Sequence, residues 1–366
     1  MTTVEQETTS LQGDFVPLEV LAVERLTHDS VVVTFRAEAG MSFTAGQHLV
    51  LRRLVEGEEL RRTYSICASA LSGDLRIGVK RLDGGAFSEW VNSGLAPGDV
   101  VEARAPAGRF TPRLGGDGAR RHVAIAAGSG ITPIISIVTT LLEAEPASTV
   151  ALWYGNKTSG DIMFLEELCD LKDRFPARFE LMLFTSREEQ EVELLSGRLD
   201  ADRVKRLLGE LEDPSGVDEW WLCGPFAMVT EIRATLVDAG AEQRHVHLEL
   251  FHVDGELPRA ARAARSAAHQ EWDGRVSQVT VQLGGRATVL QVPFDGDPIL
   301  DSLTAARSDA PYSCKSGACG TCRARLLEGQ VEMDVVYALE PDEIEQGYVL
   351  MCQSHPSTEQ VRLEVE

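Results

Sequence analysis

The chain has 366 residues, of which 43% are hydrophobic and 25% charged, and its 35 basic and 57 acidic side chains give a formal net charge of −22. This composition excludes a largely disordered chain and a small disulfide-rich protein, and the length predicts two or three domains. The acidic excess argues against binding to nucleic acid or to an anionic membrane, since both attract basic side chains.

The N-terminal residues combine neither a basic start nor an apolar core, so they do not resemble an export signal, and we expect the protein to stay in the cytoplasm. Residues 123–142 carry no charge and are long enough to span a membrane. The glycines and the proline at the centre of this stretch favour a strand that turns into a helix. We therefore expect no membrane span.

Residues 14–115 consist of short β-like runs that are separated by glycine-rich or acidic breaks. Runs such as residues 30–35 and 75–82 at this spacing predict an antiparallel barrel or sandwich. From residue 119 to 252 the pattern changes, and strand-like runs alternate with helix-like ones. This alternation predicts βαβ units around a parallel sheet.

Residues 253–275 are rich in Ala and Arg and are interpreted as a linker, with a short surface helix as the alternative. The remaining segment, 276–366, begins with a predicted hairpin that turns at Gly284 and Gly285. A short helix is predicted over residues 299–306, ahead of a cluster of cysteines.

Four of the seven cysteines, Cys314, Cys319, Cys322 and Cys352, follow the pattern C-x4-C-x2-C with a fourth cysteine after 29 residues. This is the plant-type spacing for a [2Fe–2S] cluster. The small residues between the first three allow the backbone to wrap a cluster and to point N–H groups at its sulfurs. A structural zinc site usually shows two C-x2-C pairs; zinc, a disulfide and unrelated thiols remain as alternatives.

A second motif follows the strand-like run at residues 122–127. Gly128 and Gly130 permit a close backbone approach, Thr132 is expected to cap the next helix, and Pro133 suits its first turn. A helix N-terminus that begins in this way offers N–H groups to a pyrophosphate. A tight turn without a ligand is the alternative reading.

Two further loops are predicted at the same edge of the sheet, where ligands bind in such folds. Cys223, Gly224 and Pro225 end the last predicted long strand, and Ser186 and Arg187 follow an earlier one. Because an arginine at this place accommodates the extra phosphate of NADP, we expect NADPH rather than NADH. Glu188 and Glu189 follow Arg187 and weaken this prediction. In the alternative, Arg187 is an ordinary solvated arginine without a ligand.

With these loops, the segment Arg62-Thr63-Tyr64-Ser65 matches the R-x-Y-S flavin motif, and the whole chain resembles the ferredoxin–NADP reductase superfamily with a C-terminal plant-type ferredoxin domain. More narrowly, strings such as residues 61–66, 154–164 and 221–229 resemble the reductase subunits of phenylacetyl-CoA epoxidases. The reductases of steroid 9α-hydroxylases share the architecture. The resemblance implies an antiparallel β-barrel FAD domain, an α/β parallel-sheet nucleotide domain and an α+β (β-grasp) [2Fe–2S] domain.

The resemblance also implies roles for individual residues. Arg62 would pair with the flavin diphosphate, Tyr64 would pack on the isoalloxazine, and Phe251 would shield the flavin face. Further phosphate donors would be Gly85, Ala86, Phe87 and Ser88. The residues implied at the site of hydride transfer are Ser65, Thr132, Cys223 and Glu249. In the alternative readings Tyr64 is barrel core, Arg62 a surface charge and Cys223 a small buried residue; Cys67 and Cys169 are taken as structural.

These readings combine into one hypothesis, in which electrons pass from NADPH to FAD, to the [2Fe–2S] cluster and then to a separate oxygenase. Flavin is required between NADPH and the [2Fe–2S] cluster because it exchanges both electron pairs and single electrons. The resemblance implies the di-iron oxygenase subunits of phenylacetyl-CoA epoxidase as the partner. Another oxygenase, acting on an aromatic, alkyl or steroid substrate, and a non-catalytic iron–sulfur sensor are the alternatives.

Overall fold

The structure is a computed structural model that describes residues 15–37, 41–55, 57–115, 118–251 and 274–365. Three main sheets follow one another along the chain, each with a hydrophobic cluster of its own, and a further cluster is shared by the first two domains. The multidomain architecture expected from the sequence is therefore confirmed. Of the predicted linker, residues 253–273 lie outside the described residues.

The first domain is an antiparallel sheet of six strands in the order β4-β3-β6-β1-β2-β5. A bridge between Ile66 and Ile77 joins the end of β4 to β5 and closes the sheet into the expected barrel. Its elements are β1 (Phe15–Thr27), β2 (Ser30–Phe35), β3 (His48–Val55), β4 (Glu58–Ser65), β5 (Leu75–Lys80), α1 (Ala86–Ser93) and β6 (Val100–Arg104).

The short strand β2 is buried on both faces. Val31 and Val33 point into the barrel core, whereas Val32 packs in a cluster that also contains residues of the second domain, such as Ile131. Since side chains alternate between the two faces of a strand, the outer face of the barrel rests directly against the second domain.

The second domain is a parallel sheet of five strands in the order β11-β10-β7-β8-β9, with helices on both faces. This confirms the predicted nucleotide-binding fold class. Its elements are β7 (Arg121–Ala127), α2 (Ile131–Ala144), β8 (Thr149–Asn156), α3 (Leu165–Arg174), β9 (Phe179–Thr185), α4 (Ala201–Glu210), β10 (Glu219–Pro225), α5 (Phe226–Asp238) and β11 (Val246–Phe251), and short 3-10 turns occur at Gly128–Gly130, Ser159–Asp161, Glu193–Leu195, Pro214–Gly216 and Gln243–His245.

The uncharged stretch 123–142 is divided between strand β7, a 3-10 turn and helix α2. Among the described residues, no helix is both long enough and apolar enough to cross a membrane.

One interpretation of the sequence is wrong, because Cys169 is exposed and not part of the core. Helix α3 buries Leu168 and Leu171, and the residue after Leu168 points about 100° away from it on a helix.

The third domain is a five-stranded sheet in the order β13-β12-β18-β14-β16, accompanied by the pair β15-β17. The predicted hairpin, with its turn at Gly284 and Gly285, and the predicted short helix are both present. Its elements are β12 (Val276–Leu283), β13 (Arg286–Pro293), α6 (Ile299–Ala306), β14 (Arg323–Glu328), β15 (Val331–Met333), α7 (Pro341–Glu345), β16 (Tyr348–Leu350), β17 (Ser354–Pro356) and β18 (Gln360–Glu364).

Candidate functional site

The four cysteines of the plant-type pattern converge at one end of the third domain. Strands β14 and β16 are paired so that Arg323 lies opposite Leu350, which brings the preceding Cys322 close to Cys352. A hydrogen bond from the Cys322 thiol lowers the pKa of Cys352. The structure describes all seven cysteines of the chain, and each is a free thiol.

The other two cysteines of the set, Cys314 and Cys319, lie in the loop between α6 and β14 and contact each other in the same way. The neighbouring Cys319 side chain holds the pKa of Cys314 below its usual range, and the Cys319 thiol donates to the hydroxyl of Thr321 at 3.1 Å. The amide N–H of Ser316 also points at the Cys314 sulfur, at 3.4 Å. The cysteines thus form two thiol pairs, with a backbone donor directed at one sulfur.

The backbone of this loop is left-handed at Gly317 (φ +80°) and at Gly320 (φ +66°), conformations that glycine adopts without strain. A Cβ on Gly317 would also lie 2.8 Å from a methyl of Val335. Three thiols on this tight glycine-containing loop and a fourth, Cys352, after β16 fit the donor set of a [2Fe–2S] cluster.

The turn after β7 and the turn after β10 touch through their backbones. A Cβ added to Gly130 would collide with the carbonyl oxygen of Cys223, closer than real Cβ atoms approach. Gly128 is left-handed (φ +53°), and its carbonyl accepts a hydrogen bond of 2.9 Å from Tyr154. Two of the loops predicted to bind a nucleotide therefore form a single surface.

Helix α2 begins as predicted, and Pro133 lies in its first turn, but the expected cap is wrong. Among the described residues no side chain caps this helix, whose N-cap position is Gly130. The hydroxyl of Thr132 instead donates to the carbonyl oxygen of Ser129 at 3.0 Å, because Thr132 is already the second residue of the helix. Its methyl faces Gly78 of the barrel, where an added Cβ would lie 2.6 Å away.

Two barrel residues meet two residues of the second domain at this surface. The hydroxyl of Ser65 donates to Glu249 at 3.2 Å, and Glu249 lies opposite Cys223 in the pairing of β10 with β11. Burial raises the pKa of the Cys223 thiol well above its usual range, so this group is a neutral thiol. The structure adds His48, whose Nδ1 lies 3.7 Å from the Glu249 carboxylate.

Ser186 and Arg187 lie at the same edge of the sheet after β9, two strands beyond β7. Their amides donate to the carbonyls of Asn156 and Lys157 at the end of β8. The carboxylate of Glu188, the residue that weakened the prediction of NADPH binding, accepts a hydrogen bond from the amide of Ser159 at 2.7 Å. Three strand spacings of about 4.8 Å each separate β10 from β9, so the loops span a distance on the scale of a dinucleotide.

On the barrel, Tyr64 is half-buried with its ring 5.6 Å from that of Phe87, and Arg62 is exposed. Helix α1 starts at Ala86 after Gly85, and among the described residues no side chain caps it. The hydroxyl of Ser88 is already engaged with the carbonyl of Gly85 and the amide of Leu82. The amide of Gly85 donates to the carbonyl of Leu82 at 2.9 Å, so the donors that this turn offers are the amides of the first helical residues, 86–88. Pro225 is exposed and pairs in register with the half-buried Phe251.

A cavity of about 1700 Å³ lies between the three domains, and its walls include His48, Glu249 and Cys319. Of the residues predicted at the hydride-transfer site Glu249 lines this space, and of the predicted cluster ligands Cys319 lines it. Sequence reasoning gave no role to His48, Tyr154 and Gly78, because His48 and Gly78 stand in no recognisable motif and Tyr154 only begins the family-like string 154–164. Only their positions opposite Ser65, Gly128 and Thr132 in the folded chain reveal them.

Taken together, the barrel, the nucleotide-binding edge and the four-thiol loop define a flavin- and nicotinamide-dependent reductase that carries an iron–sulfur domain. Comparison with protein families agrees. Residues 17–111 match the oxidoreductase FAD-binding domain, residues 124–234 the oxidoreductase NAD-binding domain and residues 281–357 the 2Fe-2S iron–sulfur cluster binding domain. The expectation of FAD, a nicotinamide nucleotide and a [2Fe–2S] cluster is confirmed.

The chain is 40% identical to a component of the 1,2-phenylacetyl-CoA epoxidase of Escherichia coli (strain K12), over 95% of this chain and 96% of that protein. It is 31% identical, over the full length of both chains, to the ferredoxin reductase component of 3-ketosteroid-9-alpha-monooxygenase from Rhodococcus rhodochrous. The solved structure of phthalate dioxygenase reductase shares the fold, with a TM-score of 0.59 and 23% identity over 96% of this chain and 98% of that one. The chain belongs to the ferredoxin–NADP reductase superfamily, in the family of phenylacetyl-CoA epoxidase reductase subunits.

Proposed function

We propose that the protein takes electrons from NADPH and delivers them, through FAD and a [2Fe–2S] cluster, to the oxygenase subunits of a phenylacetyl-CoA epoxidase. The observation that carries this proposal is the shared cavity, whose walls include Glu249 of the hydride site and Cys319 of the cluster loop. Similarity to a component of that epoxidase over nearly the whole chain supports the choice of partner.

Bound FAD would supply the chemistry that accepts a hydride and releases single electrons. A plant-type cluster, with a potential of about −400 mV, would take these electrons one at a time. Ser65, Thr132, Cys223 and Glu249 are the proposed catalytic residues. The buried, neutral Cys223 and the buried Thr132 would exclude water beside the nicotinamide. The carboxylate of Glu249 would orient the Ser65 hydroxyl, which already donates to it.

The proposed flavin site follows the barrel edge. Tyr64 and Phe251 would cover the isoalloxazine ring, and Arg62, an exposed guanidinium, suits the diphosphate. The amides of Ala86, Phe87 and Ser88, which follow Gly85, would add donors at the start of α1. For the nucleotide we propose the edge formed by Gly128, Gly130, Thr132, Pro133, Ser186, Arg187, Cys223, Gly224 and Pro225. The ligands proposed for the cluster are Cys314, Cys319, Cys322 and Cys352.

The proposed domain limits are 14–115 for the FAD domain, 119–252 for the nucleotide domain, 253–275 for the linker and 276–366 for the iron–sulfur domain. The proposed partner is a di-iron oxygenase, and nucleic acid and membranes are not expected as partners. A cytoplasmic location is also proposed, because cysteines that serve as cluster ligands or free thiols rather than as disulfides are typical of a reducing compartment.

Preference for NADPH is proposed to depend on Arg187. Replacing Arg187 with alanine is expected to lower kcat/KM for NADPH by about 10- to 100-fold, because charged hydrogen bonds of this kind contribute about 1.5–3 kcal/mol. The value for NADH should change by less than about twofold. Arg206→Ala, on the exposed surface of α4, is the matched control. An unchanged ratio of NADPH to NADH efficiency would show that another residue selects the cofactor.

The proposed partner can be tested with purified oxygenase subunits. The protein should sustain NADPH-dependent epoxidation of phenylacetyl-CoA and co-purify with the epoxidase subunits. A second candidate, supply of electrons to a steroid monooxygenase, is supported by the full-length similarity to a ketosteroid monooxygenase reductase. Electron delivery to the steroid monooxygenase but not to the epoxidase would make the steroid monooxygenase the preferred partner. A preparation whose flavin absorbance does not bleach with NADPH under anaerobic conditions would overturn both.

A further inference from the structure

A buried arginine crosses from the barrel to the iron–sulfur domain. Arg61 lies on β4 and is 4% exposed. Its guanidinium donates to the carbonyl oxygen of Ala310 at 3.0 Å and to that of Ser308 at 3.2 Å. Both carbonyls belong to the segment that leads from α6 to the cluster loop, about 250 residues further along the chain.

The charge of Arg61 is fully accommodated at this contact. Glu59, on the same strand, accepts a hydrogen bond from its Nε at 2.5 Å. The ring of Tyr312, from the iron–sulfur domain, lies 4.2 Å from the guanidinium carbon, and its hydroxyl donates to Glu59 at 3.4 Å. A desolvated guanidinium over an aromatic face is held more strongly than an exposed one, so the contact is built for a charged arginine.

This contact lies next to both proposed redox sites. Two residues after Arg61, the hydroxyl of Thr63 hydrogen-bonds the hydroxyl of Ser313. Ser313 immediately precedes the proposed ligand Cys314, and Thr63 immediately precedes Tyr64 of the proposed flavin site. One strand of the barrel therefore contacts the cluster loop and also carries residues of the flavin motif.

A second contact between the domains lies on the other side of the loop and joins a buried carboxylate to an exposed arginine. Glu343 is 5% exposed and accepts a hydrogen bond from Arg323 at 2.6 Å, within its own domain. Arg109, which follows the barrel, pairs with the same carboxylate. Arg323 directly follows the proposed ligand Cys322, so the two docking contacts lie on either side of the proposed cluster ligands.

We propose that Arg61 is a positioning residue that docks the segment from Ser308 to Ser313 on strand β4 and thereby sets the distance between the proposed cluster and flavin sites. This inference rests on the proposed electron-transfer function. Without the guanidinium, the carbonyls of Ser308 and Ala310 lose a buried donor, which is costly for polar groups, and the partly exposed Glu59 carboxylate keeps Arg52 at 3.6 Å. The loop then separates from the strand, and electron tunnelling slows steeply as the distance grows.

The test compares Arg61→Ala and Arg61→Lys with Arg36→Ala, which removes an exposed ion pair within the barrel, in full-length protein loaded with FAD and cluster. Anaerobic stopped-flow follows flavin bleaching by NADPH, and rapid-freeze EPR follows the reduced cluster. We expect unchanged bleaching in all variants and cluster reduction slowed about tenfold or more in Arg61→Ala. Arg61→Lys should be intermediate, because lysine keeps the charge but lacks the planar fork.

Hydrogen exchange gives a readout that does not depend on turnover. Amides of residues 308–313 should exchange faster in Arg61→Ala than in Arg36→Ala, while those of α2 should not change. Normal cluster reduction in Arg61→Ala would overturn the docking role, as would unchanged exchange in this segment. Failure of NADPH to bleach the flavin in the unmodified protein would instead contradict the proposed function itself. If Arg61→Ala does not fold, the test depends on Arg61→Lys. Normal cluster reduction in Arg61→Lys would then overturn the docking role of the Arg61 guanidinium.

Discussion

Replacing Cys314 with serine is expected to abolish electron delivery to the oxygenase while NADPH still bleaches the flavin. Cys314 is one of four thiols that converge on the loop between α6 and β14 and the turn after β16. A serine hydroxyl is a far poorer ligand for iron than a thiolate, so the cluster should be lost or bound incompletely. The visible absorbance and EPR signal of the cluster, iron content and oxygenase-coupled turnover measure the loss.

The matched control is Cys169→Ser, since Cys169 is an exposed thiol of the second domain. It should retain iron, absorbance and coupled turnover at the level of the unmodified protein. Oxygenase-coupled turnover in Cys314→Ser is expected to fall by at least about 100-fold, whereas ferricyanide reduction, which can draw electrons from flavin, should be nearly unchanged. A Cys314→Ser protein with full iron content would remove Cys314 from the ligand set.

Features that depend on neighbouring residues in the sequence were predictable. The C-x4-C-x2-C spacing, the hairpin at Gly284 and the change from strand-like runs to strand–helix alternation each depend on a few consecutive residues. These patterns report local backbone geometry and burial directly. They were sufficient to predict the three-part organisation and the iron–sulfur cluster, whereas NADPH was expected from the nucleotide-binding loops and FAD from the family resemblance.

Predictions that depend on the exact phase of a helix were wrong. Cys169 lies beside a buried leucine in the sequence, and a shift of one residue turns it to solvent. Thr132 lies two residues beyond the N-cap position at Gly130, so its hydroxyl bonds backward to Ser129. A boundary error of this size is common at helix ends, yet it decides whether a side chain caps the helix or packs inside the protein.

The contacts between domains that Arg61 and His48 make could not be predicted, whereas the resemblance placed Ser65 and Glu249, which hydrogen-bond at 3.2 Å, at one site. Arg61 and Ala310, or His48 and Glu249, are separated by hundreds of residues and show no periodic or motif signal. Arg61 in particular lies in a run of polar residues, and such a run is typical of a solvent-exposed strand. Its partners are backbone carbonyls, which every sequence offers equally, so only the folded chain identifies them.

The second large effect is expected at Gly130, where the turn after β7 touches the end of β10. A methyl group at this position would collide with the carbonyl of Cys223 and lie 2.9 Å from the amide of Gly224. Both neighbours are backbone, so the two loops must separate. Gly130→Ala should destabilise the protein by about 1–3 kcal/mol and lower kcat/KM for NADPH by about 100-fold, because misplacement by about 1 Å is that costly.

Gly209→Ala provides the matched control, because among the described residues no heavy atom outside its own helix lies within 4 Å of the added methyl. This variant should be unchanged in activity and more stable by about 0.5–1 kcal/mol, as expected for glycine replaced in a helix. Thermal unfolding and NADPH-dependent flavin bleaching distinguish the two effects. In Gly130→Ala, dithionite should still reduce the cluster, because the cluster loop lies in another domain. Normal bleaching by NADPH in Gly130→Ala would show that the contact between these loops is not required for hydride transfer.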